Sequence, residues 1–312
     1  LNFVVTGPMG DPVEASVGFV AVEKLSPQVR ELEEFPSCGE LALVEMASAA
    51  GLQQVSLGLR DPWTASTLGV GELLRRVAEE GAAAILLGIG GSATNDLGLG
   101  ALRSLGLRFL DSQGGEVGNP CPNAWCRISC IDGELLTLPP LIIACDVENP
   151  LLGPHGAAAT YGPQKGLDLV DLDRMDREAG RLAGLLTKKF MQGDDVLLEP
   201  GSGAAGGMGF GMRVAYEARF VRGFGLVRAW LGLQEKILES EIILTGEGCF
   251  DSSSLDGKGP VMVLEEAARQ GREAFLLAGS VEQGVAKATE ERFPRVRVLS
   301  ISRPELTLDE NL

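Results

Sequence analysis

Three short apolar runs in this chain each lead directly into a segment of glycines and small polar residues. The runs cover 84–87, 141–144 and 241–244, and the segments that follow cover 88–96, 146–166 and 245–258. A short apolar run bounded by turn residues is typical of a buried strand. The recurrence of strand, glycine-rich loop and helix predicts an α/β fold, with parallel strand pairs in the last third of the chain.

The remaining periodicity predicts further elements and two domains. Apolar or alternating residues predict strands over 1–6, 13–19, 41–46, 107–110, 274–277 and 296–301, and helical spacing predicts helices over 70–77, 168–190 and 260–269. A typical domain has ~150 residues, so a chain of 312 residues suggests two domains. The glycine-rich stretch 201–211 is the best candidate boundary, so we predict domains over 1–200 and 201–312.

The charge balance excludes several classes of partner. The chain has 27 Lys and Arg against 43 Asp and Glu, a net charge of −16. A general nucleic-acid binder or a binder of anionic membranes needs the opposite sign. The longest apolar runs are too short to span a bilayer, and no basic segment precedes an apolar one as in a signal peptide. We therefore expect a cytoplasmic protein, without nucleic-acid or membrane partners.

The first glycine-rich segment, 88–96, combines features of an anion site. Its glycines let backbone amides approach an anion closely, and its small polar side chains add hydrogen-bond partners: Ser92, Thr94 and Asn95. Asp96 at its end is a candidate base or metal ligand. The same pattern also fits a plain glycine-rich turn with Asp96 as a helix cap.

The other two segments carry charged groups after predicted strands. Asp146 follows its strand directly, and Lys165 has the charge to hold a phosphate or carboxylate; a surface loop shaped by Pro and Gly is the alternative. In the third segment, Glu247 and Asp251 offer oxygen ligands for magnesium, and Lys258 could neutralise phosphate. An acidic cap for the helix after Pro260 explains that segment equally well.

A dinucleotide fingerprint is a competing interpretation of the first segment. Residues 88–93 match the dinucleotide-binding pattern G-x-G-x-x-A after a strand. Asp111 follows the next predicted strand, ~20 residues after the glycines, where such proteins have an acidic residue that binds the ribose. That pattern would indicate a dinucleotide-dependent oxidoreductase. Against it, Asp111 leads into S-Q-G-G, which is a turn signal that favours a hairpin over a crossover.

Five blocks together resemble a known family. They are G-I-G-G-S-A-T-N-D at 88–96, C-D-V-E-N-P-L-L-G at 145–153, Y-G-P-Q-K-G at 161–166, G-S-G-A-A-G-G at 201–207, and T-G-E-G at 245–248 with Asp251. In this order they resemble the bacterial-type (type 1) glycerate kinases. The resemblance implies transfer of the γ-phosphoryl group of ATP to a hydroxyl of D-glycerate, with Mg²⁺. It also implies two α/β domains, one an incomplete flavodoxin-like or Rossmann-like layered domain and the other a distinct inserted α/β domain.

Candidate roles follow from the chemistry of the residues in these blocks. The catalytic candidates are Asp96 and Asp146, either of which could accept the hydroxyl proton, and Lys165. The candidates for holding glycerate or phosphate oxygens are Gly90, Gly91, Ser92, Thr94, Asn95 and Asn149. The candidates for the nucleotide are Thr245, Gly246, Gly248 and Lys258. The candidate magnesium ligands are Glu247 and Asp251.

The chain also departs from the family's pattern. The family's opening P-D-S-F-K-G, its later D-G-G-E-G and its closing P-G-P segment are absent, and the chain begins at Leu1. Leu97 stands where the family usually has Gly, Cys249 where it has Arg, and Ser253 where it has Gln. Three functions are therefore weighed: an active glycerate kinase, monomeric or homodimeric; a truncated, inactive relative that acts as a binding protein; and, less favoured, the dinucleotide-dependent oxidoreductase.

Overall fold

The computed structural model describes residues 1–32, 35–255 and 259–302, and the described chain is an α/β fold. It divides into two compact units. The first comprises Leu1–Leu25 and Arg30–Gly223, and the second comprises Ser26–Val29 and the chain from Phe224 onward. Each unit has a sheet and a hydrophobic core of its own.

A six-stranded sheet organises the first unit. Its strands, in spatial order, are β1 (Asn2–Thr6), β2 (Pro12–Ala21), β3 (Glu40–Glu45), β4 (Ala84–Gly88), β7 (Leu141–Ala144) and β8 (Arg219–Val221). The first three strands pair antiparallel, and β3, β4, β7 and β8 run parallel. Strand β4 is buried almost throughout, as a short apolar run between covered faces requires. Two shorter strands, β5 (Leu107–Leu110) and β6 (Cys130–Gly133), form a separate antiparallel pair.

Helices lie at all three predicted positions, 70–77, 168–190 and 260–269, and the described chain has further helices that were not predicted. They are α1 (Pro27–Leu32), α2 (Met46–Ala50), α3 (Leu68–Glu79), α4 (Leu99–Ser104), α5 (Ala157–Tyr161), α6 (Leu172–Phe190), α7 (Ala204–Tyr216), α8 (Gly223–Leu231), α9 (Leu233–Glu239), α10 (Gly259–Arg269) and α11 (Val285–Arg292). In the described part of the chain, no helix combines the length and the apolar character needed to cross a bilayer.

The second unit is built on three parallel strands in the order β11 (Val296–Ser300), β10 (Glu273–Val281) and β9 (Ile242–Phe250). This confirms the parallel pairing predicted for the last third of the chain. Strand β9 is longer than predicted, since it pairs with β10 as far as Phe250. The stretch 245–250, expected as a loop, is therefore part of the strand, and the loop begins at Asp251.

The glycine-rich stretch 201–211 is packed within the first unit, and the units divide later, after Gly223. The glycines allow close contact between backbones. A Cβ at Gly206 would lie 2.2 Å from the Thr94 carbonyl oxygen, and one at Gly211 would lie 2.2 Å from the Leu97 carbonyl oxygen. In the sequence such glycines resemble a linker, but here they let α7 pack closely against the segment after β4.

The β5–β6 pair removes the basis of the dinucleotide fingerprint. Strand β5 pairs antiparallel with β6 and is not part of the six-stranded sheet. Asp111 lies in a tight turn, where its Oδ1 accepts hydrogen bonds from the amides of Gln113 (2.9 Å) and Gly115 (2.8 Å). The S-Q-G-G turn signal correctly predicted that the chain reverses here, since Glu116 pairs antiparallel with Leu110 across the turn, and Asp111 stabilises this turn.

Candidate functional site

Two loops that lie far apart in the sequence meet at one edge of the six-stranded sheet. Strands β4 and β7 are parallel neighbours, with Gly88 opposite Ala144 at their carboxyl ends. The loops that follow them enclose a cavity of about 390 Å³, where ligands of open α/β sheets characteristically bind. Its polar lining includes Gly90, Gly91, Ser92, Cys145, Asp146, Tyr161, Gln164 and Lys165. The sequence therefore predicted correctly that polar groups follow both strands, and the sheet order brings them together.

Lys165 reaches the cavity from a short turn after α5 and is only 2% exposed. Its Nζ donates hydrogen bonds to Ser92 Oγ (3.0 Å) and to the carbonyl oxygen of Thr94 (2.6 Å). Burial lowers the pKa of Lys165 from 10.5 to about 7, although the negative charge of Asp96 acts in the opposite direction. The cavity wall thus contains an amine that changes its charge near neutral pH.

Asp96 lies behind the cavity and has no exposed surface. Its Oδ2 accepts hydrogen bonds from the amide (2.8 Å) and hydroxyl (2.9 Å) of Thr67 and from the Gly100 amide (3.2 Å), and its Oδ1 accepts one from the Gly98 amide (3.2 Å). Burial raises the pKa of Asp96, and these hydrogen bonds partly offset that effect. The carboxylate holds the starts of α3 and α4 together, which favours the capping alternative over the catalytic one.

Asp146 has a different environment, because it is an exposed residue in the cavity wall directly after β7. Its neighbour Cys145 also lines the cavity, and the Cys145 thiol donates to the carbonyl oxygen of Val147 at 3.4 Å. Burial and the charge of Asp146 raise the pKa of that thiol, so Cys145 is neutral at ordinary pH. Of the two carboxylates proposed from the sequence, Asp146 alone lines this cavity.

Asn149 supports the cavity wall and is not among the residues that line it. Its Nδ2 donates to the His155 carbonyl oxygen (2.8 Å), and its Oδ1 accepts a hydrogen bond from the Tyr161 hydroxyl (2.6 Å). Tyr161 is in the wall itself, and burial raises its pKa to about 12. Sequence reasoning missed Tyr161 as a site residue, although it opens the Y-G-P-Q-K-G block that contains Lys165.

Thr94 and Asn95 are buried behind the cavity, next to the interrupted start of α7. The Thr94 Oγ1 and Asn95 Oδ1 atoms are buried without a hydrogen-bond partner, while the Thr94 carbonyl accepts from Lys165. Backbone with positive φ runs through Ala205 (53°), Gly206 (67°) and Gly207 (87°), and Ala205 reaches the cavity wall. The Thr94 carbonyl therefore helps to hold Lys165, and neither Thr94 nor Asn95 is among the residues that line this cavity.

Leu97 illustrates the cost of one departure from the family pattern. Its φ is 58°, a left-handed conformation that glycine adopts easily and that a leucine adopts with strain. A glycine at this position would adopt the same backbone conformation without strain. In this chain the side chain is 2% exposed and packs in the core of the first unit, which offsets part of the strain.

The described residues predicted to hold the nucleotide and the metal, Thr245 to Gly248 and Asp251, belong to the second unit. Thr245, Gly246, Glu247 and Gly248 lie within β9, and a Cβ at Gly246 would be 2.4 Å from the Leu277 carbonyl oxygen on β10. Gly246 therefore serves close strand packing, at least in part. Lys258 lies outside the described residues.

Glu247 and Asp251 offer oxygen ligands suited to Mg²⁺. Glu247 Oε1 is buried without a hydrogen-bond partner, which leaves an acceptor available to a cation. Asp251 Oδ1 accepts from the amide (3.1 Å) and the hydroxyl (3.4 Å) of Ser254. Within the described residues no group of three or more His, Cys, Asp or Glu could hold a metal by itself. The donor set fits Mg²⁺ because this ion commonly takes one or two carboxylates and completes its shell with water and phosphate.

Comparison with known proteins identifies the family. The profile of the glycerate kinase family matches residues 1–312. A protein named glycerate kinase from Bacillus subtilis (strain 168) is 36% identical over 284 residues, which cover 90% of this chain and 69% of the relative. A protein named glycerate 2-kinase from Escherichia coli (strain K12) is 34% identical over 312 residues, which cover 98% of this chain and 76% of the relative.

A solved structure supports the same assignment. The crystal structure of a protein from Salmonella typhimurium LT2, assigned as a glycerate kinase 2, superposes with a TM-score of 0.70 at 34% sequence identity. The match covers 100% of this chain and 77% of that one. Glycerate kinases are phosphotransferases with an alcohol group as acceptor. The fold, the order of the glycine-rich blocks and these relatives agree that the chain belongs to the glycerate kinase family.

Proposed function

We propose that the cavity at the ends of β4 and β7 binds D-glycerate and that the protein transfers the γ-phosphoryl group of ATP to a glycerate hydroxyl. The observation that carries this proposal is the presence of a buried cation, Lys165, and an exposed carboxylate, Asp146, in the wall of one small cavity. A hydroxy acid needs both: a positive group for its carboxylate and a proton acceptor for its hydroxyl.

The carboxylate of glycerate binds beside Lys165 in this proposal. The ammonium form of Lys165 supplies the charge, and backbone amides of Gly90 and Gly91 supply further donors, with Gly91 at a φ of 68°. An incoming anion also favours the protonated form of Lys165, since it compensates the charge that burial penalises. Binding of glycerate is therefore coupled to uptake of a proton near pH 7.

Asp146 accepts the proton of the reacting hydroxyl. As the hydroxyl oxygen bonds to the γ-phosphorus and the bond to ADP breaks, the proton passes to the Asp146 carboxylate. Asp96 is unsuited to this task because four hydrogen bonds from Thr67, Gly98 and Gly100 occupy its oxygens. The E. coli relative is named for position 2 of glycerate, and we propose the same position here.

The second unit supplies the groups for ATP and its metal. Glu247 and Asp251 would hold Mg²⁺, and Thr245, Gly246, Gly248 and Lys258 would contact the nucleotide. A magnesium ion held by these residues would neutralise phosphate charge. The unpartnered Glu247 Oε1 supports this assignment.

The test is a coupled ADP-release assay with Mg-ATP and D-glycerate, followed by ³¹P NMR of the product. We expect ADP release that depends on D-glycerate and a product phosphorylated at position 2. L-Glycerate is the matched control for the acceptor, and omission of Mg²⁺ tests the metal. Calorimetric binding of D-glycerate without any turnover would favour the inactive binding protein. Micromolar NAD binding with no ATP signal would overturn the kinase proposal.

A further inference from the structure

The neutral amine form of Lys165 can keep both of its hydrogen bonds and still have a free lone pair. A neutral amine has two N–H bonds, and the hydroxyl oxygen of Ser92 and the carbonyl oxygen of Thr94 accept both of them. Both acceptors are uncharged, so the contacts do not require the ammonium form. The remaining position of Nζ is its lone pair, and the side chain lines the cavity.

The groups around Lys165 are consistent with this state. Asp96 lies behind it, but its oxygens accept four hydrogen bonds from other groups and burial raises its pKa. In the wall of the cavity, burial raises the pKa of both Cys145 and Tyr161, which keeps those two groups neutral, and Asp146 is on the exposed side. Burial lowers the pKa of Lys165 itself to about 7.

A second, narrow cleft lies on the other side of Lys165 and is lined in part by Arg60 and Asp61. The cleft has no room for a water molecule. The Arg60 guanidinium donates to the Gln164 carbonyl oxygen at 3.1 Å, and Asp61 accepts from the Trp63 amide at 2.9 Å. Because this cleft is too narrow for a water molecule, the larger cavity is the one from which a small molecule can reach Nζ.

We propose that Lys165 forms a reversible imine with small 2-oxo or aldehyde acids that match glycerate in size, so that a carbonyl counterpart of the acceptor blocks this cavity. Buried, desolvated lysines are the ones that carry out such chemistry in proteins. The Nζ lone pair attacks the carbonyl carbon, the carbinolamine loses water, and a C=N bond replaces the C=O bond. No oxidant or reductant takes part. The cavity's preference for a three-carbon acid rests on the proposed function.

The acid group gives this reaction its selectivity. Amides of Gly90 and Gly91 stand in the same wall as Lys165 and can hold a carboxylate while the amine attacks the adjacent carbonyl. At pH 8 the neutral fraction of the amine is roughly 200-fold larger for a lysine with a pKa near 7 than for an ordinary exposed lysine. Lys188, exposed near the end of α6, is the internal reference.

The experiment traps the imine in the intact chain. Hydroxypyruvate is added at pH 8, sodium borohydride reduces any C=N bond to a stable secondary amine, and peptide mass spectrometry locates the added mass. We expect Lys165 to be labelled at least ~10-fold more than Lys188. Hydroxyacetone, which lacks the carboxylate, should label less, D-glycerate should protect, and Lys165→Arg should abolish the Lys165 adduct.

Equal labelling of Lys165 and Lys188, or labelling of Lys165 that D-glycerate does not affect, would overturn the inference. The readout does not depend on turnover. A chain that phosphorylates D-glycerate but gives no Lys165 adduct contradicts this inference alone. A chain that forms the adduct but has no kinase activity contradicts the proposed function and leaves the amine chemistry standing.

Discussion

Replacing Lys165 by Met should change how the stability of the first unit depends on pH. In the folded protein burial lowers the pKa of Lys165 from 10.5 to about 7. The unfolded chain therefore binds more protons than the folded one between these values, and wild-type stability rises with pH through that window. Methionine has similar length and no charge, so it removes this dependence and leaves the other groups in place.

The magnitude follows from the two pKa values. Between pH 6 and pH 9 the free energy of unfolding of the wild type should rise by about 3 kcal/mol relative to Lys165→Met. At pH 6 the buried charge is fully present in the wild type, so the variant has its largest relative advantage there. At pH 9 a little more than half of that advantage is gone, and the rest is lost as the pH approaches 10.5.

Urea unfolding measured by tryptophan fluorescence tests this prediction. Trp63 and Trp125 are in the first unit, and a Trp230→Phe background removes the tryptophan of the second unit. Lys188→Met, at an exposed position, is the matched control and should show no such trend. The reasoning would be refuted if the difference in free energy of unfolding between wild type and Lys165→Met stayed constant within ~0.5 kcal/mol from pH 6 to pH 9.

Three further outcomes follow from the same contacts. Asp96→Asn should cost about 1 kcal/mol by thermal unfolding, whereas Asp96→Ala should cost about 3 kcal/mol or more because it leaves buried donors unpaired. Gly206→Ala should destabilise the first unit strongly, since its Cβ would lie 2.2 Å from the Thr94 carbonyl oxygen. Gly184→Ala is the contrasting substitution: its Cβ would meet no atom within 4 Å, so it should stabilise α6 by ~0.5–1 kcal/mol. In initial-rate kinetics, kcat/KM for D-glycerate should fall above pH 7 as Lys165 loses its proton, and Lys165→Arg should flatten that limb.

Nine of the strands and the helices α3, α6 and α10 were predictable because their signals are local, whereas β6, β8 and the other helices were not predicted. The apolar run of β4 and the helical spacing of α3 and α6 identify these elements without tertiary information. The extent of β9 was not predictable in this way. Thr245 to Gly248 resembles a loop in composition, and only pairing with β10 shows that the strand continues. The stretch 201–211 was predicted as a domain boundary for a related reason: its glycines resemble a linker in composition, but they allow close packing against Leu97 and Thr94.

The sequence predicted which loops form the site, but it did not predict the role of each residue in them. Sequence placed polar groups after β4 and β7, but only the sheet order makes those loops neighbours. Asp96 and Asp146 are equivalent candidates in the sequence, and their burial separates them. Asn149 was expected to contact substrate, whereas its side chain holds Tyr161.

The most direct test of the account compares kcat for D-glycerate in Asp146→Asn and Asp96→Asn under identical conditions. If Asp146 accepts the hydroxyl proton, Asp146→Asn should lose ~10²–10⁴ in kcat with an unchanged melting temperature. Asp96→Asn should keep most of the wild-type kcat, because its role is to hold α3 and α4. Full activity in Asp146→Asn together with loss of activity in a folded Asp96→Asn would contradict the account.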